Sequence, residues 1–228
     1  MITSIYFNKL NSYEDFGLVI TNMDDIPIAN EITEITNGYT IRTGEYEPIE
    51  IRVVLMRRYL KSIIKYHDDI VSWLKDIKDN KLAFSFMKNR YYIVKKVEVE
   101  NIPRRLGKHN TISVNFILEP FKYEVSNIIT LTKNSKIYYN GTAPGKCNLK
   151  IYGNGNIQLT VNNDTVQINN VNEYVELDSK LLLCLNKDNT SKSRDMIGGF
   201  PILTKGTNEI SWIGNITKIE IDQRIAYL

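Results

Sequence analysis

Histidine, cysteine and tryptophan are scarce in this chain, and their scarcity narrows the chemistry open to it. His67 and His109 are the only imidazoles in 228 residues. Cys147 and Cys184 are the only thiols; they lie far apart, each beside a strand-like run. No Cys/His pair stands at metal-ligand spacing, and each cysteine reads as a small buried hydrophobe rather than half of a disulfide. Long apolar runs are also missing. None approaches the ~20 residues a spanning helix needs, so no membrane insertion is expected. The opening stretch, MITSIYFNKLNSYEDFG, has no basic n-region, which speaks against a signal peptide. Charge of one sign is lacking too. A net charge of +3 and a pI near 8.6 do not describe a nucleic-acid binder, which carries a concentrated basic face.

Signature motifs are equally thin. There is no phosphate loop, nucleophile elbow or zinc-protease motif. Gly153-Asn154-Gly155 is no dinucleotide fingerprint, because Gln158 stands where the third glycine belongs and no helix follows. Glu173, Glu176 and Asp178 come closest to a carboxylate cluster, but Glu176 and Asp178 are two apart on a strand, the ordinary spacing of a solvated face. The triplets at Asn140, Asn163, Asn189 and Asn215 match the glycosylation pattern by chance in an Asn-rich chain. The expectation is no catalytic residue, no metal and no cofactor.

What is present is strand pattern. Hydrophobic residues make up 43% of the chain, enough for one large or two small cores. Residues 2–10 and 16–20 read as strands, and 22–46, broken by Pro27, Gly38 and Gly44, as mostly loop with one or two short strands. Ile49, Ile51, Val53 and Leu55 alternate on one face, as do Ile112, Val114, Phe116 and Leu118. Residues 82–86 and 91–99 form a hairpin. The loop after it carries Arg104, Arg105, Lys108 and His109, a solvated tip rather than a phosphate site. Pro120 closes a first domain, residues 1–125.

One helix stands out, over residues 59–77. Leu60, Ile63, Ile64, Ile70, Val71 and Leu74 recur at helical spacing, with His67 in the same stripe as a packed or capped imidazole. Tyr59, Tyr66 and Trp73, seven apart, widen the apolar arc. They serve either boundary packing within one domain or a contact with a neighbouring subunit, since aromatics are enriched at interfaces.

From residue 126 to 228 the pattern is wholly β. Strands are expected at 148–152, 157–161, 166–168, 174–178, 181–185, 200–203, 209–213 and 217–221. Turns fall at Gly153-Asn154-Gly155-Asn156, Asn162-Asn163-Asp164, Lys205 to Asn208 and Gly214-Asn215. Short strands spaced by Asn/Gly turns indicate an antiparallel sandwich rather than βαβ units. The fold class is therefore mainly β: an N-terminal β domain with one α-helix, then a C-terminal antiparallel β-sandwich.

The order of local sequences adds a resemblance. Trp73-Leu74, Tyr91-Tyr92 and Pro120-Phe121-Lys122-Tyr123 are followed by Asn140-Gly141-Thr142-Ala143-Pro144 and Ile151-Tyr152-Gly153-Asn154-Gly155-Asn156-Ile157. Gly199-Phe200-Pro201, Gly206-Thr207-Asn208 and Ile210-Ser211-Trp212-Ile213-Gly214 complete the set. Across essentially the whole chain this resembles the distal tail proteins of long-tailed phages that infect Gram-positive bacteria. The resemblance implies a galectin-like C-terminal sandwich and an N-terminal domain that assembles into a ring, commonly a hexamer, at the far end of the tail tube. It implies a structural role without catalysis, in the virion tail, assembled in the bacterial host cytoplasm. The implied partners are other copies of the chain, tail tube and tape-measure proteins, a tail-associated lysin or tip protein, and receptor-binding proteins. The chain departs from that pattern at Asp222-Gln223-Arg224-Ile225, where an aromatic beside a basic residue is usual, and at Cys147, where proline is common.

A rival reading is a carbohydrate-binding module for host cell-surface glycans, with Tyr152, Tyr174 and Trp212 as its aromatic contacts. Trp212 is in phase with Ile210, which turns it toward the core. A cell-wall hydrolase has no residue constellation behind it.

Overall fold

The computed structural model describes residues 2–57, 66–100, 111–125 and 128–228. Expectations placed on Tyr59, on the first part of the helix, and on the loop with Arg104, Arg105, Lys108 and His109 lie outside the described residues. The chain divides into two compact units, one running up to Tyr123 and including Leu228, the other Glu124–Tyr227. Strand dominates both, and α1 (His67–Lys75) is the one α-helix among the described residues.

The first unit contains β1 (Ile5–Phe7), β2 (Leu10–Asn11), β3 (Leu18–Met23), β4 (Glu31–Thr36), β5 (Tyr39–Tyr46), β6 (Ile49–Arg57), α1, β7 (Lys81–Phe84), β8 (Arg90–Val99) and β9 (Thr111–Glu124). Its main sheet has the order β2-β1-β7-β8-β9-β6-β3. The strict alternation on β6 and β9 is what builds it. Ile49, Ile51, Val53 and Leu55 stand opposite Leu118, Phe116, Val114 and Ile112, and all eight are buried. Burying each such side chain stabilises by about 1.5–3 kcal/mol, so this ladder is the backbone of the unit. Ile20 N–H donates to Thr3 O and the Thr3 hydroxyl to Ile20 O, so the sheet curls back on itself. Helix α1 adds Ile70, Trp73 and Leu74 to the same core. Its C-terminal end is held by Asn8, which sits at φ 52 in the β1–β2 turn. Asn8 Nδ2 donates to Trp73 O (2.9 Å) and Asp76 O (2.6 Å), and Oδ1 accepts from Lys78 N (2.8 Å) and Asp79 N (3.0 Å). One short amide thus satisfies two helix carbonyls and two exit N–H groups.

Three expectations for this unit are corrected. Residues 22–46 are not mostly loop: β4 and β5 form a long hairpin across Asn37-Gly38, whose φ values of 52° and 80° fit a type I′ turn. Pro120 does not end β9. The ladder to β6 stops at Ile49↔Leu118, so beyond it the missing N–H of Pro120 costs no bond to β6. His67 does not sit in the apolar stripe; its side chain is 42% exposed and Nδ1 lies 3.0 Å from Asp68 Oδ1.

In the second unit the strands are β10 (Ile129–Leu131), β11 (Ser135–Tyr139), β12 (Asn148–Val161), β13 (Asp164–Val171), β14 (Tyr174–Asp178), β15 (Leu183–Asn186), β16 (Met196–Ile197), β17 (Gly206–Asp222) and β18 (Ala226–Tyr227). Two long strands organise it. β12 and β17 pair antiparallel along their length. The first half of β12 also pairs with β14, and its second half with β13. β17 pairs with β11 at one end and β10 at the other. Register shifts between Tyr152/Gly153 and Asn154/Gln158 mark the middle, where the ladder passes from one half to the other. Leu149, Ile151, Ile219 and Ile221 from one half share a core with Ile157, Leu159, Val161 and Ile210 from the other. The halves of one bent sheet thus make the antiparallel sandwich.

The sequence had divided these long strands. Gly153 to Asn156 is not a tight turn but the bent middle of β12, and Gly214-Asn215 does not separate two strands but lies inside β17. Residues 200–203 form no strand; Leu203 makes only an isolated bridge with Gly145. β15 begins two residues later than expected, after a turn in which Leu182 has φ 54.

Candidate functional site

Three surfaces carry the residues singled out in the sequence, and one that was overlooked. The overlooked one is the β4–β5 arm. Ile35 is 79% exposed, Tyr39 76% and Ile41 49%. Thr43 Oγ1 donates to Ile32 O (2.7 Å), and Arg42 lies 3.8 Å from Glu31, so the arm is braced by its own residues. Tyr46 alone of its residues packs against the core of the first unit, meeting Phe121 edge-on at 5.1 Å. A two-stranded hairpin in water is marginally stable at best, and exposed apolar side chains along it mark a contact surface. The signal that could have found it is Asn37-Gly38 between EITEIT and YTIRTGEY.

The aromatic flank of α1 is a different matter. Trp73 is 5% exposed. Its Nε1–H donates to Phe7 O (2.9 Å), its ring stacks on Phe16 at 4.7 Å, and Phe7 meets it edge-on at 6.4 Å. Tyr66 is half-buried under the Arg57 guanidinium, 3.7 Å from its ring centroid. Packing within one unit therefore accounts for Trp73, which has almost no surface left for a neighbouring subunit; Tyr59 lies outside the described residues.

On the second unit the structure joins two of the three aromatics. Tyr152 and Tyr174 are cross-strand partners on the outer face, ring centroids 5.6 Å apart. Lys218 Nζ lies 4.1 Å from the Tyr152 ring centroid and Lys150 Nζ 4.0 Å from that of Tyr174. The Tyr152 hydroxyl donates to Glu220 (2.9 Å) and that of Tyr174 to Lys187 O (3.3 Å). Lysines occupy the ring faces a sugar would stack on. Trp212 faces the other way: its partner across the ladder is buried Leu159, and it packs half-buried against the core. The three do not form one platform.

The carboxylates are each engaged separately. Glu173 pairs with Lys187, and Glu176 accepts from Asn148 Nδ2 (2.7 Å). Asp178, 7% exposed, takes a two-pronged bond from Arg224 (2.7 Å each) and accepts from Lys180 N and Leu181 N (2.9 Å each). That clamp fixes a turn whose leucines, Leu181 to Leu183, are 61%, 63% and 41% exposed. Both thiols are buried, and burial pushes each up to about 11, which keeps them protonated and unreactive at neutral pH.

No family model and no curated protein matches the chain by sequence. Its fold does match a solved structure. The Dit protein (gp 19.1) of phage SPP1, described as a paradigm of the hub adsorption apparatus in phages infecting Gram-positive bacteria, superposes with a TM-score of 0.67. The match covers 100% of both chains at 10% identity, so what the two share is the fold.

Proposed function

We propose that this chain is a structural protein of a phage or prophage tail, a hub at the distal end of the tail tube. In this reading copies of the first unit join into a ring, a hexamer, and the ring couples the tube and tape-measure proteins above to a tail-associated lysin or tip protein and receptor-binding proteins below. The role is mechanical, a matter of shape and repeated contact rather than of a reaction, and its location is the virion tail. The observation that carries it is the correspondence of fold with SPP1 Dit over 100% of both chains. The exposed β4–β5 arm supports it independently, since a subunit of a ring needs a surface that only a neighbour covers. The experiment is negative-stain microscopy and native mass measurement of the purified chain over a range of concentrations. Six-fold annuli are expected. A monomer at every concentration, with no ring formed when a tube protein is added, would overturn the reading.

A further inference from the structure

Charge is unevenly divided within the first unit. Between Asp24 and Glu47 the carboxylates Asp24, Asp25, Glu31, Glu34, Glu45 and Glu47 accompany a single cation, Arg42. Between Lys81 and Lys96 the sequence holds only cations: Lys81, Lys88, Arg90, Lys95 and Lys96. The acidic stretch is the arm, which holds Glu31, Glu34 and Glu45, together with the segments that lead into and out of it between β3 and β6; the basic one is β7 and β8 as far as Lys96, which pairs with Glu98, and β9 separates it from β6 in the sheet. Among the described residues no ion pair joins Glu34, Glu45 or Glu47 to Lys81, Lys88 or Lys95.

The basic stretch also has an apolar middle. On β1, β7 and β8 the core takes Ile5, Phe7, Leu82, Phe84, Tyr92 and Val94, which leaves the alternate residues outside. Tyr6, 47% exposed, stands opposite Ala83, and Lys81 stands opposite Ile93 with its ammonium 5.0 Å from the Tyr91 ring centroid. This is a sheet face of tyrosine, alanine and isoleucine rimmed by lysine. One face of the arm presents the complement, Tyr39 and Ile41 beside Glu34; Ile35 lies on its other face, opposite Thr40.

Resting on the ring reading above, we infer that the acidic arm of one copy lies across the cationic β1–β7–β8 face of the next copy. The occupant of that face is a second copy of this chain, selected by opposite charge. An eight-residue strand extends about 27 Å, and neighbouring strands are about 4.8 Å apart, so the arm has the reach to cross all three. The contact joins two different patches, so it is head-to-tail, the kind that closes into a ring when the rotation allows. Its electrostatic part weakens with salt.

The test uses the full chain in four forms: wild type, an arm variant (Glu34→Lys with Glu45→Lys), a face variant (Lys81→Glu with Lys95→Glu), and the two combined. Sedimentation at low and high salt reads association, and far-UV circular dichroism confirms folding. The expected result is that arm and face variants each weaken association by about tenfold or more, that the combined variant recovers most of it, and that salt weakens the wild type. A wild-type ring that neither variant disturbs, or a combined variant that recovers nothing, overturns this contact and leaves the ring reading standing. A wild-type chain that is monomeric throughout removes both.

Discussion

Tyr92 carries a cost that its neighbours do not share. Its hydroxyl is buried, at 1% residue exposure, with no hydrogen-bond partner among the described residues, and burial pushes its pKa up to about 12. A buried unpaired polar group costs about 1–3 kcal/mol, and removing the oxygen removes that cost. Tyr92→Phe is therefore expected to raise the stability of the first unit by about 1 kcal/mol, read as a higher denaturant midpoint with unchanged slope. Asp178 shows the opposite economy. Burial opposes its ionisation, but Arg224 and the N–H groups of Leu181 and Lys180 outweigh that and hold its carboxyl below the ordinary 3.8. A depressed folded-state pKa adds stability that is complete above the unfolded value and is lost as pH falls through the folded one. The second unit is expected to lose stability as acid is added below about pH 4, and Asp178→Asn to flatten that part of the profile in acid-denaturation curves.

At the scale of the element, the bend of β12 and β17 decides the second unit. Gly214 has φ +106, and a Cβ there would stand 2.6 Å from Asn156 O; a Cβ on Gly153 would collide with Asn215 O in the facing strand. Both positions need a backbone without a side chain, because the two strands cross most closely where they fold. Gly153→Ala is expected to lower the melting temperature of the second unit, at a cost of about 1–3 kcal/mol, with the first unit unaffected. The same glycines explain what the sequence concealed. Gly-Asn-Gly-Asn is turn chemistry, and locally a bent strand and a reversal ask for the same residues. Only the partners, Asn154↔Asn215 and Gln158↔Ile213, show that the chain carries on in one direction. The alternating runs of β6, β9 and β14 needed no such help, since their pattern states both strand and buried face. The Trp73 ambiguity had a similar source: helical spacing marks the arc but not whether Phe7 and Phe16 will cover it.

For the molecule as a whole, the proposed arm contact separates folding from assembly. It adds little to the core beyond Tyr46, so replacing Ile35 and Tyr39 leaves the monomer as it was. Ile35→Asp with Tyr39→Ser is expected to change unfolding free energy by no more than about 0.5 kcal/mol, while native mass measurement finds the ring lost. Unfolding of that variant, or rings formed as before, would remove the arm from the interface. Trp73→Ser gives the reverse outcome, because its indole fills the core and bonds Phe7. Its cost is about 3–5 kcal/mol, seen in stability before any effect on assembly.

The sequence by itself determined the β character of the chain, its change of period at α1, the alternating faces of the central strands and the turn at Asn162-Asn163. Those follow from interactions between residues a few positions apart. Tertiary structure alone decided that two apparent turns are bends, that Asn8 caps a helix some seventy residues away, that Tyr152 and Tyr174 meet, and that the arm is left uncovered. Each of these depends on which distant segment lies alongside, and local pattern does not encode a distant partner.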